Sequence, residues 1–240
     1  PPRLSTPSLH DALPICCLGH YMARYDGGVY AKAVVEGTSE DNTSVHALNA
    51  IALGLDPKAI YTITGKQDSG YQIAKRFIYA FLYGAGDGKI GLIVGKGAKV
   101  GRQRKNRFLN KVPALKKLIR KVKKRVEKKG YLIGLDGRKL HVRSAHSALN
   151  TLLQSAGALI MKKATVILHE KLASSKYMQY RDYCMVAHIH DEMQLQVKKG
   201  LEHVIGKLAV ESIREAGEFF KLRCPIDANY KTGRNWSETH

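Results

Sequence analysis

The chain has 240 residues, of which 44% are hydrophobic, and its 40 lysines and arginines outnumber 20 acidic residues to give a formal net charge of +20. This composition excludes a disordered tail, and the length allows one large domain or two small ones with a buried core. No apolar run in the sequence approaches the ~18 residues of a membrane-spanning helix, so we expect no membrane partner. Such a basic chain is typical of proteins that bind a polyanion, although a generally basic surface of the ribosomal type is the alternative.

The cysteines indicate a reducing compartment. Cys16 and Cys17 are adjacent, whereas Cys184 and Cys224 are far from them in the sequence. This is neither a disulfide framework nor a metal-binding spacing, and the N-terminus has no signal-peptide pattern. We therefore expect a cytoplasmic protein, in a bacterial host if it is phage-encoded.

The first fifteen residues do not resemble the start of a domain. Residues 1–15 contain four prolines and no strand-length apolar run, so we expect a segment that is disordered or not native to the protein. A helix is predicted over 16–25, and a second over 44–55 with Ser44 as its N-cap.

The middle of the chain is predicted to be helical and basic. Apolar residues recur at helical spacing over 67–84, and six glycines between 84 and 97 predict a tightly packed break between helices. Residues 96–129 hold sixteen lysines and arginines and one acid, Glu127. A solvated helix face is the usual meaning of such a run, but the lack of compensating acids favours contact with phosphates.

The last part of the chain alternates strands with helices. The predicted elements are a hairpin over 131–143, a long apolar helix over 147–172, a hairpin over 183–197, a helix over 201–221 and a closing strand within 223–236. Their order predicts an α+β fold, with an antiparallel sheet that has helices on one face and a mostly helical insertion.

Two adjacent carboxylates lie in the middle of the 183–197 hairpin, in 188-HIHDEMQLQV-197. Asp191 and Glu192 are costly to desolvate at a sharp turn unless a cation pairs with them. Hard divalent cations prefer carboxylate oxygens, and Mg²⁺ often completes its shell with water and phosphate. In a basic chain this favours phosphoryl or nucleotidyl transfer with two ions about 4 Å apart. An ordinary exposed turn is the alternative.

Three segments resemble, in order and at suitable distances, motifs of the family A DNA polymerases. Within 75-KRFIYAFLYGAGDGKIG-91, the family pattern Lys-x-x-x-Phe/Tyr-x-x-x-Tyr-Gly is matched by Lys75, Tyr79, Tyr83 and Gly84. The other matching segments are 135-LDGRKLHVRSAHSALNTLLQSAGALI-160 and 188-HIHDEMQLQV-197, with further likeness in 17-CLGHYMARYDGGVY-30 and 235-NW-236. The resemblance covers about residues 17–240 and is greatest to replicative polymerases of T7-like podophages.

The resemblance implies a division of the chain into parts of the polymerase palm and fingers. These are a partial palm over 16–43, fingers over 44–132 with the nucleotide-binding helix at 67–84 and basic helices at 96–129, and a palm over 133–240 with the metal-site hairpin at 183–197.

The resemblance also implies a nucleotide site on the 67–84 helix. Lys75 would meet the phosphates of the deoxynucleoside triphosphate (dNTP), where a cation neutralises charge that grows on the leaving pyrophosphate. Tyr79 would lie by the sugar, and Tyr83 would stack near the template base or nascent pair. His46 matches a histidine that meets phosphate in the family. The alternative for the two tyrosines is that they pack as an ordinary stripe on the helix surface. The alternative for His46 is a capping or core role.

The DNA and metal contacts are implied in the same way. Asn150 and Gln154, one helical turn apart, would bond to minor-groove acceptors of the primer–template, although a buried, satisfied Gln154 is the alternative. His190 would contact the primer terminus, Asp191 would be a ligand of Mg²⁺, and Glu192 would be a nearby carboxylate of lesser role. The family implies two Mg²⁺ ions as cofactors, with dNTPs and primer–template DNA as partners. It leaves a processivity factor open for a longer parent protein and assigns none to this chain.

The chain departs from the family pattern upstream of 17-CLGH-20. Counting back, the family's metal-binding Asp falls at Leu9, its Glu at Pro14 and its Arg at Cys16, while Asp11 is two residues out of register. A site built for two ions is expected to be strongly impaired without one of its two principal aspartates.

A second departure affects the nucleotide site. The family has an Arg one turn before its catalytic Lys, and this chain has Tyr71 there. Arg76 falls on a different helix face, and Lys66 is a nearby cation that would compensate if it reached the phosphates.

We therefore expect a template-directed DNA polymerase of phage replication, present here as a truncated piece that is impaired in catalysis. The alternatives are a non-catalytic basic fragment that binds DNA or nucleotide, and a metal nuclease that uses Asp191 and Glu192. The nucleotide-helix pattern argues against the nuclease. Asp11 lying within about 4 Å of the ions at Asp191 would favour the active enzyme, and we expect that it does not.

Overall fold

The computed structural model describes residues 3–8 and 12–239 and divides into two compact units. The first unit is made from Pro1–Leu18, Gly134–Arg138 and Leu153–His240. The second is made from Gly19–Ile133 and Lys139–Leu152.

Helices and antiparallel strands together confirm the α+β class. Within the described residues the strands are β1 (Arg3–Ser8), β2 (Ile60–Ile63), β3 (Lys66–Ser69), β4 (Tyr131–Ile133), β5 (Lys139–His141), β6 (Tyr183–Ile189), β7 (Glu192–Val197) and β8 (Asn229–Gly233). The helices are α1 (Ala12–Asp26), α2 (Val29–Val35), α3 (Val45–Leu53), α4 (Gly70–Leu82), α5 (Asp87–Ile93), α6 (Ala98–Lys111), α7 (Pro113–Lys129), α8 (Ala148–Ala173) and α9 (Glu202–Phe219).

The first unit is built on a four-stranded sheet in the spatial order β6-β7-β1-β8, with every pair antiparallel. β1 is paired on both sides. Its Ser5 lies opposite Leu195 of β7 and Thr232 of β8, and its Ser8 lies opposite Glu192 and Asn229. The N-terminal strand therefore joins the β6–β7 hairpin to β8.

The two long helices of this unit cover one face of the sheet. Met193 and Leu195 alternate on β7 with no exposed surface, and Ser5 shares their face because it pairs with Leu195. The Thr165 hydroxyl of α8 lies 3.6 Å from the Met193 sulfur, and the Ser5 hydroxyl donates to the Glu202 carbonyl of α9 at 3.5 Å. The predicted arrangement of helices on one face is therefore present.

The second unit is mostly helical, and serine side chains cap the N-termini of two of its helices, α3 and α4. The Ser44 hydroxyl accepts a hydrogen bond from the Ala47 amide at 3.4 Å and caps α3, as predicted. The Ser69 hydroxyl accepts from the Gln72 amide at 3.2 Å and caps α4. Each cap satisfies an amide that the first turn of a helix leaves without an intrahelical partner.

Aromatic packing fixes α4 against α6. The ring centroids of Phe77 and Phe108 are 5.0 Å apart and those of Phe81 and Phe108 are 5.7 Å apart, in edge-to-face geometry. Phe77 and Phe108 have no exposed surface. Burial of large rings at these spacings is a strong stabilising contribution, so α4 is supported along its apolar face.

The glycine-rich segment packs two helices at close range. A Cβ atom at Gly101 of α6 would lie 2.0 Å from the carbonyl oxygen of Asp87 in α5. No side chain fits at that distance, so the glycine is required for the contact. Within 84–97, a Cβ atom at Gly91 would lie 2.4 Å from the Gly97 carbonyl oxygen, which is the tight packing that the glycine content of this segment predicts.

The basic block forms two helices, as predicted, and α7 is strongly two-sided. Pro113 is its first residue, where the missing amide hydrogen costs nothing. Leu115, Leu118, Val122 and Val126 are buried at three-to-four spacing. The lysines and arginines lie on the remaining surface of the helix.

The structure corrects the expectation of disorder for residues 3–8 and 12–15, whereas a non-native origin of residues 1–15 stays a prediction. Residues 3–8 form an interior strand, and α1 begins at Ala12 rather than at position 16. Pro14 is tolerated because it lies in the first turn of α1, where amides have no intrahelical acceptor. The sequence does not indicate β1, because an interior strand is usually apolar and this one contains mostly polar residues.

Two further elements differ from the sequence prediction. The helix predicted over 67–84 is shorter, since residues 66–69 form β3 and pair with β2 through a turn in which Thr64 and Gly65 have positive φ. Between the helices predicted over 16–25 and 44–55, the structure has a further helix, α2.

Of the described helices, α8 is the one with the length and apolar character to cross a membrane. The core helix of a soluble protein passes the same test, and Ile160, Met161 and Leu168 of α8 have no exposed surface here. The expectation of no membrane partner stays a prediction.

Proline substitution tests the place of β1. Because β1 is paired on both sides, the Ser5 amide faces a partner strand, so Ser5→Pro is expected to lower the free energy of unfolding by about 2 kcal/mol or more. Val186→Pro is the matched control, since Val186 is exposed at an irregularity of the edge strand β6 and is expected to tolerate proline better. Denaturant unfolding followed by circular dichroism measures both, and equal losses would contradict the interior position of β1.

Candidate functional site

The predicted nucleotide residues lie along one face of α4. Tyr71, Lys75 and Tyr79 are half-buried and spaced four residues apart, and Tyr83, the C-cap, continues the row with 56% of its surface exposed. The opposite face carries the buried Phe77 and its neighbours. Residues four apart on a helix are neighbours, so one cation and three aromatic rings form a continuous row. We call it the α4 row.

His46 of α3 joins the α4 row. Its ring centroid lies 5.4 Å from that of Tyr71, edge-on, and 6.3 Å from that of Tyr79. His46 is half-buried, and its helix is fixed by the Ser44 cap. The structure therefore brings His46 together with two tyrosines of a different segment of the sequence.

His146 fixes the end of the α4 row, and sequence reasoning did not single it out. Its Nε2 lies 3.0 Å from the carbonyl oxygen of Gly84 and is placed to donate to it. Gly84 has φ 78°, which glycine adopts readily, so the chain turns sharply just after Tyr83. The bond spans sixty-two positions of sequence, which local patterns do not reveal.

Arg76 does not extend the α4 row. Its guanidinium is paired with Asp68 of β3 at 2.7 Å, and this contact is the main cause that lowers the pKa of Asp68. Lys66, the other candidate cation, is exposed at the start of β3. The place of the family arginine is occupied by Tyr71, which packs edge-on against His46.

The predicted metal and primer-terminus residues meet at the β6–β7 turn of the first unit. His190 has φ 54°, and Ile189 pairs with Glu192 to close the turn. His190 is exposed, while Asp191 and Glu192 are half-buried. A left-handed residue between two strands gives a sharp turn, so the three side chains are concentrated in a small volume.

A buried polar pair lies beside this turn and holds one of its carboxylates. The Gln194 amide nitrogen donates to the Glu192 carboxylate, and the Thr6 hydroxyl donates to the Gln194 carbonyl oxygen at 2.8 Å. Thr6 and Gln194 are each 2% exposed. β1 therefore positions Glu192 through Gln194. Sequence reasoning missed this link because Thr6 lies in the segment expected to be disordered.

His188, two residues before the turn, is kept neutral by its surroundings. Burial, followed by the nearby Lys162 ammonium, lowers the pKa of His188. Its Nδ1 lies 3.4 Å from the Thr165 hydroxyl of α8.

The described residues do not complete a site for two metal ions. Asp191 and Glu192 offer the hard oxygen donors that a divalent cation prefers. Among residues 3–8 and 12–239, however, no group of three His, Cys, Asp or Glu side chains could hold a metal ion. The predicted positions Leu9 and Asp11 lie outside the described residues. The donor set seen here does not by itself fit two ions.

Cys16 also departs from the family pattern in its surroundings. It is 4% exposed, and the neighbouring Cys17 has no exposed surface. Burial raises the pKa of Cys17 to about 12, with a further contribution from Cys224. A position where the family has an arginine is thus part of an apolar core and offers no cation to a substrate.

The two predicted minor-groove residues lie on α8. Asn150 is half-buried and Gln154 is exposed, one turn further along the helix. The alternative of a buried Gln154 is wrong, and its predicted contact with DNA stays a prediction.

The cations of α6 and α7 are used differently. On α6, Arg102 and Lys105 pair with Asp87 at 2.9 and 2.8 Å, and Arg104 donates to the Leu53 carbonyl at 2.6 Å. On α7, no lysine or arginine forms an ion pair with any described carboxylate.

A groove of about 740 Å³ runs along α7. It is lined by Pro113 and Ile119, by lysines and arginines that include Lys116, Arg120 and Lys124, and by one carboxylate, Glu127. An open groove whose cations outnumber its single carboxylate is suited to contact with a chain of phosphates.

Comparison with known proteins decides the family. The model of the family described as DNA polymerase family A matches residues 57–238. The chain belongs to the family A DNA polymerases. The resemblance of the three motifs is therefore confirmed.

The chain is similar to polymerases of several phages. The DNA-directed DNA polymerases of Enterobacteria phage T3 and Escherichia phage T7 are 38% and 37% identical to the chain over 96% of its length. DNA polymerase I of Aquifex aeolicus is 23% identical over 70% of the chain. The alignments cover 32% of each phage relative, so the chain spans about a third of their length.

A solved structure of the same fold is the POL domain of Pol1 from M. smegmatis, in complex with DNA primer–template and dNTP. The match has a TM-score of 0.75 and 17% sequence identity, and it covers 99% of this chain and 40% of that one. At this identity the likeness supports the fold.

The buried polar pair beside the turn can be tested by a double-mutant cycle. Gln194→Leu leaves the Thr6 hydroxyl buried without its acceptor, so it is expected to cost about 1–3 kcal/mol of unfolding free energy. Thr6→Val in that background removes the unsatisfied hydroxyl, so the double variant is expected to be less destabilised than the sum of the two single variants. Denaturant unfolding of the four proteins measures the coupling, and strict additivity would contradict a direct Thr6–Gln194 bond.

Proposed function

We propose that the chain is the fingers and palm part of a template-directed DNA polymerase, which adds dNTPs to a primer 3′-hydroxyl during phage DNA replication. The observation that carries this proposal is the α4 row, in which Lys75 lies between tyrosines that contact His46. Membership of the family and the likeness to phage polymerases over 96% of the chain support it.

The α4 row is suited to a nucleoside triphosphate. The Lys75 ammonium meets the phosphates, where a positive charge stabilises the negative charge that develops on the leaving pyrophosphate. Tyr79 lies by the sugar, and the exposed Tyr83 offers a ring on which any base can stack. His46 adds a second group for phosphate and is oriented by Tyr71 and Tyr79.

Several other features are suited to primer–template DNA. Asn150 and Gln154 are amide side chains that match minor-groove acceptors, which occupy similar positions in every correct base pair. His190 contacts the primer terminus. The α7 groove holds phosphates of the template or duplex without reading sequence.

The turn at Asp191 and Glu192 is where we assign a divalent ion. Mg²⁺ is the proposed ion because carboxylate, phosphate and water oxygens are the ligands it prefers. Asp191 is its ligand, and Glu192, held by Gln194, is a nearby carboxylate. With Leu9 at the place of the family's other aspartate, we infer that this chain binds its substrates but extends a primer poorly or not at all.

The second candidate function also follows from the missing carboxylate at Leu9. A non-catalytic basic fragment that holds DNA or nucleotide is favoured by the incomplete donor set at the turn. We place either form in the cytoplasm of a bacterial host, with a processivity factor left open for a longer parent protein. A metal nuclease has no need of the α4 row and is the weakest candidate.

A substitution at position 9 tests the assignment of the turn. Leu9→Asp supplies the carboxylate that the family pattern has there, so single-nucleotide primer extension with Mg²⁺ is expected to rise about tenfold or more. Leu9→Asn, of the same shape without the charge, is the matched control and is expected to give no gain. A gain that survives Asp191→Ala, or an equal gain with Leu9→Asn, would contradict the assignment.

The salt dependence of DNA binding tests the α7 groove. Arg120→Gln with Lys124→Gln is expected to reduce the slope of log affinity against log salt by about 0.7–0.9 for each lost phosphate contact. Lys207→Gln with Lys231→Gln removes the same charge from exposed positions elsewhere and is expected to change the slope less. Fluorescence anisotropy with a labelled primer–template measures the slope for both double variants. Equal slopes for the two variants would contradict phosphate binding by α7 and would favour the alternative of a solvated helix face.

A further inference from the structure

A cavity of about 460 Å³ lies at the end of the β6–β7 hairpin that is remote from Asp191. Tyr183 and Val197, which pair at that end of the two strands, both line it. The strands rise about 3.3 Å per residue, so about 18 Å separates this end from the turn. The cavity is thus distinct from the site at Asp191, and its size is within the ordinary range of ligand pockets, about 300–1,000 Å³.

A rigid turn before β6 forms one wall of this cavity. Asp182 is 5% exposed, and its carboxylate accepts from the Met178 amide at 3.0 Å and from the Arg181 guanidinium at 2.7 Å. Its own amide donates to the Met178 carbonyl at 2.8 Å. The Arg181 contact, followed by the Met178 amide, lowers the pKa of Asp182 to about 2. The carboxylate therefore stays charged and holds the turn at any physiological pH.

The turn displays an aromatic ring to solvent. Tyr180 has φ 65° and 81% of its surface exposed, and its amide donates to the Tyr183 carbonyl at 2.7 Å. A bulky residue rarely adopts the left-handed region, and such residues cluster at binding sites. Core packing does not explain a ring that is so exposed.

Positive charge surrounds the ring. Arg181, Lys198 and Lys199 line the same cavity, and Asp182 is the carboxylate among them. Lys198 lies 3.9 Å from Asp182, so Arg181 and Lys198 share one negative charge. Three cations against one carboxylate leave two positive charges beside Tyr180.

We propose that this cavity is a second nucleic-acid site, which binds single-stranded DNA with a base stacked on Tyr180 and the flanking phosphates on Lys198 and Lys199. Stacking on an exposed ring beside a cationic groove is the general mode of single-strand binding without sequence preference. The site does not depend on the chemistry at Asp191 or on the α4 row, so it stands or falls separately from the proposed polymerase activity.

An acidic peptide is the competing occupant, and the exposed ring favours nucleic acid over it. Carboxylates would use the cations but would leave the face of Tyr180 uncovered, whereas every base offers a flat π-surface to it. The net charge of +20 also suits a polyanion with regularly spaced charges.

Photo-crosslinking tests the proposal. The probe is a twelve-nucleotide oligodeoxythymidine that carries 5-iodouracil, irradiated with the whole chain at low salt and mapped by mass spectrometry after digestion. The expected result is a crosslinked peptide that contains Tyr180. Tyr180→Asn, which tolerates the left-handed conformation, is expected to lower its yield about fivefold or more, and Tyr180→Phe, which keeps the ring, is expected to retain it.

The charge and the class of ligand are tested with matched variants. Lys198→Gln with Lys199→Gln is expected to weaken the crosslink, while Lys207→Gln with Lys231→Gln, of equal charge change at exposed positions elsewhere, is expected to spare it. The proposal is overturned if no crosslink maps to the turn, if the two double variants behave alike, or if a decaglutamate peptide displaces the probe from Tyr180 better than unlabelled oligodeoxythymidine does. Crosslinks at other positions report on the other DNA contacts and do not affect the interpretation of the crosslink at Tyr180.

Discussion

The first unit depends on the pairing of β1 between β7 and β8. That pairing joins a hairpin to a strand more than thirty residues further along the chain, and it brings Thr6 opposite Gln194. It also brings the end of β1 beside the turn, since Ser8 pairs with Glu192. Hydrogen bonds on both sides hold the strand, so the polar network under Glu192 is preorganised.

Two kinds of positive charge occur in the second unit, and they have different consequences. Arg102 and Lys105 of α6 pair with Asp87, and Arg104 donates to the Leu53 carbonyl, so these three cations hold helices together. The cations of α7 are displayed around a groove. Desolvating a cation is costly unless an anion is near, so displayed cations keep their affinity for phosphate. Lys75 differs from both, because it is half-buried in a row of rings that limits where it can reach.

The sequence predicts those parts of the fold in which the local pattern of apolar and polar residues agrees with their burial in the folded chain. The helical patterns of α4, α7 and α8, the cap at Ser44 and the hairpin over 131–143 are of this kind. β1 is not, because a proline and several polar residues fill a strand that other strands hold in place. The α4 row and the turn carboxylates were predicted by resemblance to the family. Gln194, Thr6 and His146 were not, since each acts through a contact distant in sequence, and only the folded chain brings the partners together.

The central claim is that this chain holds the substrates of a DNA polymerase without the complete carboxylate set that the chemistry needs. The most direct test is primer extension by the unchanged chain, with Mg²⁺, the four dNTPs and a short primer–template, alongside DNA binding in the same buffer. The account predicts binding with little or no extension. Ready extension would show that another carboxylate completes the site and would contradict the claim.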